Sequence, residues 1–529
     1  MQGKKQHQEK LFNSFQLSEY VPAENFYRQL KSVLDLQFMY KATRSYYGSE
    51  GQQSIDPTVF FKLILVGYLE NLNSDRKIIA HAKMRLDILY FIGYDLGEEL
   101  PWHSTLSRTR QLFGEHVFLQ LFKQVLKMCI DKGMVGASRQ AVDSAYIKAN
   151  ASMDSIVEKQ VLDDAQTYTQ QLQANDETIT VVKAEKRRQV EQHHNWKKNE
   201  YKNQPQGRKK TSEDTFDDER EADQRQRGKF LSNHTHYSTT DSDARISVKP
   251  GKPRQLTYSA QTCVDTAHHV ITNIMADYSS KRDSESLAQL LNQTIANLNE
   301  HQLVVKEILA DTGYSSGSAL KYLEAANLTG YIPNFGQYKP ERKGFVYNKE
   351  KDQYQCIQQG GLMALLPHKR TGANSNGYIQ KTYRSSETVC KNCPLKQQCI
   401  GKSNFKKLDQ CIDKPLYDQM HQRLQTRKAK IYKKLRCSTV EPVLGTLINF
   451  TGMRRIWTRG LKNANKFIIG AGIAYNLKKY MRFINKKRIS VCMQLEKQTI
   501  LTTESLFSTI LMLSQPIQHY KSKNIFQIV

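Results

Sequence analysis

Three acids in the 529-residue sequence could act on phosphate esters. Asp143 follows Ala141-Val142 and precedes the polar positions Ser144, Lys148, Asn150 and Ser152. Asp311 closes the apolar run Ile308-Leu309-Ala310, and Gly313 after it permits a turn. Glu441 lies in Ser438-Thr439-Val440-Glu441-Pro442-Val443. Acids at the C-terminal ends of buried strands stand where α/β sheets place their sites. Carboxylates also suit Mg²⁺, which prefers oxygen and keeps several waters. Two such ions ~3.5–4 Å apart can activate an attacking oxygen and stabilise a leaving one. Taken singly, either Asp is equally a turn or cap residue. Asp265, after Cys263-Val264 on a strand pattern, is a rival for the same face.

A second constellation is Cys390-x2-Cys393-x5-Cys399, with Cys356 upstream. Four thiols, two of them in a CxxC, suit tetrahedral Zn²⁺; reduced thiols without metal are the alternative. His368 is a possible substitute ligand or an ordinary surface residue. Nine cysteines in a chain that reads as cytosolic do not suggest a disulfide framework.

The elements that must position these groups fall into blocks. Residues 1–135 read as helical, an all-α N-terminal domain. Asp56-Pro57 opens one helix with a cap and a proline at its first position, and a second runs from Ser74 through Leu89. Arg108 and Arg110, after Pro101-Trp102-His103, either grip DNA or are solvated arginines of a plain bundle. Residues 136–335 alternate strands and helices. A strand ends around Asp143, a charged helical insertion occupies 155–235, and strands cover 256–265 and 270–272. A helix follows over 284–298, then a strand over 304–310 closing on Asp311, a helix over 318–326 and a strand over 329–332. That order fits a mixed α/β sheet in which antiparallel hairpin strands precede parallel ones. Residues 336–430 form an insertion with the cysteine cluster. Helical character resumes near 416 and runs to 487, with 431–487 carrying Glu441, and 488–529 form a tail.

The charge balance names the partner class. Against 51 acidic residues stand 78 basic ones, a net +27, which suits a polyanion such as DNA because neutralised phosphates release counterions. No secretory pattern opens the chain, and its most apolar stretch, Val59–Leu69, is too short for a bilayer. The expectation is a cytoplasmic, nucleoid-associated protein of about two to four domains, with no membrane partner.

The motifs resemble one family. Ala141-Val142-Asp143-Ser144 with Ile147-Lys148-Ala149-Asn150, and Ala310-Asp311-Thr312-Gly313-Tyr314-Ser315-Ser316, look like the first two acids of the DDE transposases of bacterial insertion sequences. The segment 438–445 resembles the third, a Glu on a helix after an insertion. Gly452-Met453-Arg454-Arg455, Arg459-Gly460-Leu461 and Ala474-Tyr475-Asn476-Leu477-Lys478 resemble the helices that follow, and 238–245 with the turn at 250–253 resembles the approach to the second strand.

The resemblance implies a ribonuclease-H-like catalytic domain, a mixed sheet flanked by helices. Asp143, Asp311 and Glu441 would be ligands of two Mg²⁺ (or Mn²⁺) ions per site. Water would attack for cleavage and a DNA 3′-OH for strand transfer. The partners would be double-stranded DNA, as terminal inverted repeats and as target, with the chain a homodimer or higher oligomer on it. On this reading Asp265 is structural or supporting. One departure stands: the family's Tyr, Arg, Glu and Lys spacing around the third acid is altered, with Tyr432 nine before, Arg436 five before and Ile448 seven after Glu441. Arg436, Arg454 and Arg455, with Lys148, are the expected phosphate contacts.

Overall fold

A computed structural model describes residues 16–48, 50, 54–158, 233, 236–247, 254–336, 338–357, 364–373 and 379–486. Most of the charged stretch at 155–235, the turn at 250–253 and the tail at 488–529 lie outside the described residues. The chain divides into a unit of Met1–Asn476 and one of Leu477–Val529. Of the second unit, residues 477–486 are described, and they are helical.

The N-terminal region is helical, as expected: α1 (Leu17–Tyr20), α2 (Phe26–Val33), α3 (Phe38–Thr43), α4 (Pro57–Leu69), α5 (Asp75–Lys83), α6 (Leu86–Ile92), α7 (His103–Leu112) and α8 (Glu115–Asp131). α4 starts where the cap signal placed it, the Asp56 carboxylate accepting from the Thr58 and Val59 amides. It is apolar nearly all round and buried nearly all round, so it forms the centre of this region. Phe60 and Phe61 pack on Phe113.

The helix expected from Ser74 to Leu89 is two helices. Arg85 takes an extended backbone and folds its guanidinium onto Asp87 (2.7 and 2.8 Å), in the first turn of α6. Arg110, expected at DNA, is tied into the helical region. Its guanidinium is bound at both terminal nitrogens by Asp75 (2.9 and 2.6 Å) and its side chain is 14% exposed, so it holds α7 to α5. Arg108 is exposed.

Beyond α8 the chain forms β1 (Arg139–Lys148), a small pair of β2 (Ile156–Glu158) with β3 (His236–Ser238), then β4 (Arg245–Ser247), β5 (Gln255–Asp265) and β6 (Ile271–Tyr278). Next come α9 (Asp283–Asn299), β7 (Glu307–Leu309), α10 (Gly317–Ala325) and β8 (Thr329–Tyr331). One mixed sheet has the order β6-β5-β1-β7-β8, with β4 continuing the edge beside β6. β5 is antiparallel to β1 and β6, whereas β1, β7 and β8 are parallel. The expected order of antiparallel hairpin before parallel strands is therefore present.

β1 does not end at Asp143. β5 pairs with it from Gln140↔Asp265 to Lys148↔Thr257, so β1 runs five residues past the acid. The parallel neighbour β7 is short and its last pair is Ala141↔Leu309. Asp143 thus sits beyond the end of β7, beside the exit of the chain toward Asp311.

The stretch after β8 holds a second sheet, which the sequence reading did not foresee. β9 (Phe345–Asn348), β10 (Gln353–Cys356), β11 (Leu365–Ala373), β12 (Ile379–Arg384) and β13 (Lys407–Cys411) pair antiparallel in the order β13-β12-β11-β10-β9. Two short helices, α11 (Glu387–Lys391) and α12 (Lys396–Cys399), lie between β12 and β13. Then come α13 (Lys414–Leu424), α14 (Arg427–Phe450) and a helix from 461. The helical run expected from 416 to 487 breaks at 451–460, where Gly452 and Gly460 adopt positive φ (78° and 81°). Among the described residues no helix is long and apolar enough to cross a membrane.

Asp265 has a structural role. It is 1% exposed and accepts from the amides of Gly136, Ala137 and Ala267 and from Gln140 Nε2, at 2.7–3.1 Å. It clamps the entry to β1, where Ala137 takes the left-handed region (φ 57°). Asp265→Ala leaves several buried donors unpaired. It should cost about 3 kcal/mol or more in denaturant unfolding of the full chain; a loss under about 1 kcal/mol would remove the clamp.

Candidate active site

Alternation along β1 puts Asp143 and Ser144 on opposite faces of the sheet. α14 covers the Asp143 face. Val440, Val443, Leu444 and Leu447 are among its buried apolar residues, and polar contacts anchor its first turns. Tyr432 donates to Glu307 (3.0 Å), Lys428 binds the same carboxylate (2.5 Å), and Arg139 binds it from β1 (2.8 Å) while stacking on the Tyr432 ring at 4.1 Å. One turn further on, Arg436 Nη1 reaches Asp143 Oδ2 at 2.8 Å. Both side chains are little exposed, 15% for Arg436 and 17% for Asp143.

Asp311 follows β7 and caps the turn Thr312–Tyr314, accepting from the Gly313 amide at 2.9 Å. Burial raises both carboxyls above the usual range. For Asp143 the Ser144 amide and Arg436 pull the other way while Asp311 adds to the rise. For Asp311 the charge of Asp283 adds to burial and Arg436 opposes. Glu441 lies five residues beyond Arg436 on α14, is 62% exposed, and has Oε1 3.9 Å from Arg436 Nη2. Pro442, next in the helix, removes an amide donor at that turn.

The three acids therefore meet around one guanidinium. Asp143 binds it, Glu441 lies beside it and Asp311 is within its field. They do not stand together at ligand distances. Among the described residues no three His, Cys, Asp or Glu groups are close enough to hold an ion as they are. Two features fit a hydrated cation here. Asp143 and Asp311 are raised, first by burial and then by neighbouring carboxylates, and Thr262, directly opposite Asp143 on β5, has a buried hydroxyl with no hydrogen-bond partner.

The remaining expected residues separate. Lys148 is exposed at the end of β1. Arg454 is exposed and donates to Asn449 (3.1 Å), whereas Arg455 is partly buried, donates to Asn150 (3.1 Å) and lies 4.8 Å over the Trp457 ring. Arg436, expected at a phosphate, is held by Asp143. Cys356, Cys390, Cys393 and Cys399 line one cavity of about 30 Å³, with Phe345, Leu366 and Ile400. His368 does not line it and pairs with Thr371 (3.0 Å). Sequence reasoning missed Asp283, the first residue of α9, beside Asp311. An acid opening a helix straight after a hairpin was the available signal.

Acids raised by burial set the pH dependence. Only between the ordinary carboxylate range and their raised values do Asp143 and Asp311 hold protons in the folded chain that the unfolded chain has released. Their stabilising contribution is full below the ordinary carboxylate range and is lost as pH rises through the raised values. In chelator at pH 7, Asp311→Asn should therefore raise the thermal midpoint by about 2–4 °C, and the gap should narrow as pH falls. Equal midpoints at both pH values would show that the Asp311 charge is not destabilising.

Sequence comparisons bear on both ends of the described chain. Residues 15–112 match the family described as a transposase domain (DUF772), which spans α1 to α7. Residues 356–481 match the transposase DDE domain, which includes the four cysteines, Arg436 and Glu441. No curated protein matches. A solved piggyBac transposase synaptic complex with hairpin DNA is similar at 10% identity and a TM-score of 0.22, over 87% of this chain and 79% of that one. That likeness is too low to carry an argument. The two transposase domains flank the stretch that holds Asp143 and Asp311, and with them the chain fits a DDE transposase of an insertion sequence.

Proposed function

We propose that this chain binds the terminal inverted repeats of its element and performs cut-and-paste transposition, cleaving DNA and joining 3′-OH ends to a target. The observation that carries the reading is the meeting of Asp143, Asp311 and Glu441 around Arg436, from two adjacent parallel strands and a helix that returns after an insertion. The mixed sheet with α14 across it supports a ribonuclease-H-like catalytic domain formed by 136–335 and 431–487. The helical 1–135 would be the DNA-binding domain, and 336–430 an inserted subdomain. Lys148, Arg454 and the exposed Arg108 remain for phosphates, and the net +27 favours DNA throughout. Assembly as a dimer or larger complex on DNA belongs to the same reading.

Asp143, Asp311 and Glu441 would hold two Mg²⁺ or Mn²⁺ ions, which would supply activation of the attacking oxygen and stabilisation of the leaving one. Arg436 compensates the buried acids when no cation is bound. With a cation present its charge becomes available to a phosphate oxygen. Glu441, exposed on α14 beside Pro442, has freedom to turn toward the other two. Asp143 is fixed by Ser144 and Arg436, and Asp311 by its own turn, so these two set the position of the scissile phosphate.

Asp143→Asn, Asp311→Asn and Glu441→Gln should each lower Mn²⁺-dependent nicking of an end-bearing duplex by at least about 100-fold, while binding of the duplex persists. Transfer of a labelled 3′-OH end into plasmid should be lost in parallel. Nicking with no joined product in the parent chain would make it a nuclease without strand transfer, and unchanged nicking in Asp311→Asn would reject the site.

The same reading includes a structural Zn²⁺ held by Cys356, Cys390, Cys393 and Cys399, which line one cavity and would draw together on the ion, since as they stand no three of them are close enough to hold it. The void is about the share of one water molecule, and the flanking helices, of five and four residues, have little packing of their own. Elemental analysis of chain purified without chelator should find about one zinc per molecule, lost when Cys390 and Cys393 are both changed to Ser. Metal-free, fully reduced thiols in a stably folded chain would overturn it.

A further inference from the structure

The acids around Arg436 are not the whole of the carboxylate set. Asp283 opens α9, which packs on β5 and β6 and contacts the turn after Asp311. A Cβ built on Gly313 would meet Asp283 Oδ2 at 3.0 Å and Asp311 Oδ1 at 3.1 Å. Each oxygen is within 3.1 Å of the same point, so the two are at most twice that apart. A side chain at position 313 would fill the space both carboxylates face.

Asp283 is held in place from below. Its Oδ1 accepts from Gln261 Nε2 at 2.9 Å, and Gln261 Oε1 accepts from the Tyr314 hydroxyl at 2.6 Å. Tyr314 is fully buried in the turn that Asp311 caps, and burial holds its hydroxyl firmly in the protonated, donating form. A buried chain thus runs from the Asp311 turn through β5 to Asp283, and fixes one carboxylate relative to the other. Oδ2, the oxygen turned to Gly313, forms no ion pair among the described residues. Asp277, nearby at the end of β6, shows the contrast: Lys281 (2.9 Å) and Ser286 (2.8 Å) neutralise and bind it.

Two acids facing one gap, with the Arg436 guanidinium bound to Asp143 on the other face of the sheet, form an arrangement that a cation would complete. We propose that Asp283 is a positioning residue for the metal ion carried by Asp311, its Oδ2 accepting from one of the waters that the ion retains. This rests on the reading of Asp143 and Asp311 as metal ligands. Asp283 would then fix the ion from the α9 face while Asp143 and Glu441 act from the α14 face. A carboxylate in the first turn of a helix can instead serve only the helix dipole, and the experiment separates the two roles.

The test is Mn²⁺ titration of the full-length chain, followed by the electron paramagnetic resonance signal of the free ion. Asp283→Asn keeps a polar group of the same shape at the helix start. It should weaken Mn²⁺ binding by about 10–100-fold, and Asp283→Glu should recover part of the loss. Tyr314→Phe, which removes only the hydroxyl that orients Gln261, should weaken binding less and in the same direction. Circular dichroism would confirm that each variant is folded. Binding lost in Asp311→Asn but unchanged in folded Asp283→Asn, with only a lower thermal midpoint, would overturn the proposal and leave Asp283 a helix-start residue. Binding unchanged in Asp311→Asn would instead reject the underlying site, and the proposal with it.

Discussion

The ion pair between Arg436 and Asp143 joins the two halves of the site. It is little exposed, it is the contact through which α14 meets the first acid, and its guanidinium also lies beside Glu441 and within the field of Asp311. Buried acids are tolerated only when paired. Without Arg436, Asp143 and Asp311 would face each other uncompensated in a site that already raises both. The pair therefore permits the sheet to carry two buried acids, and it also holds the helix bearing Glu441.

The strand lengths make this possible. β7 is three residues long and β1 ten, so their parallel pairing stops short of Asp143. The sheet is open on that side just where Asp311 leaves β7. The longer β5 keeps β1 straight through the gap and brings Thr262 opposite Asp143. On the other face, Ser144, Gln261 and Tyr314 form a polar layer under α9. The site is thus an opening in one side of a sheet covered by helices on both faces, and each face contributes acids.

The insertion shows how a distant residue is returned. Between β8 and α14 the chain builds a five-stranded antiparallel sheet and two short helices around four cysteines. α14 then docks through Glu307, Arg139 and Tyr432, none of which is an acid of the site proper. The altered spacing before Glu441 has a physical meaning here. Tyr432 is an anchor to the strand ends, and Arg436 is the counter-charge.

Local features were legible in the sequence where one short segment decides them. The Asp56-Pro57 helix start needs only a cap and a fixed φ, and the apolar run ending in Asp311 is a buried strand wherever it packs. The cysteine spacing likewise picked out four thiols that line one cavity. Other features depend on partners far along the chain. Arg110 is bound by Asp75, and the second sheet pairs strands whose own pattern is weakly alternating. Asp283 matters only because Tyr314 and Gln261 orient it toward Gly313. What the residues determined alone was which groups could do chemistry and which short elements carry them. What only the tertiary structure decided was how far each acid is buried, which cation faces it and which fourth carboxylate stands near. A side chain's charge state follows from groups within a few ångströms, and for Asp143 those groups, Asp311 and Arg436, lie 168 and 293 residues away in the chain.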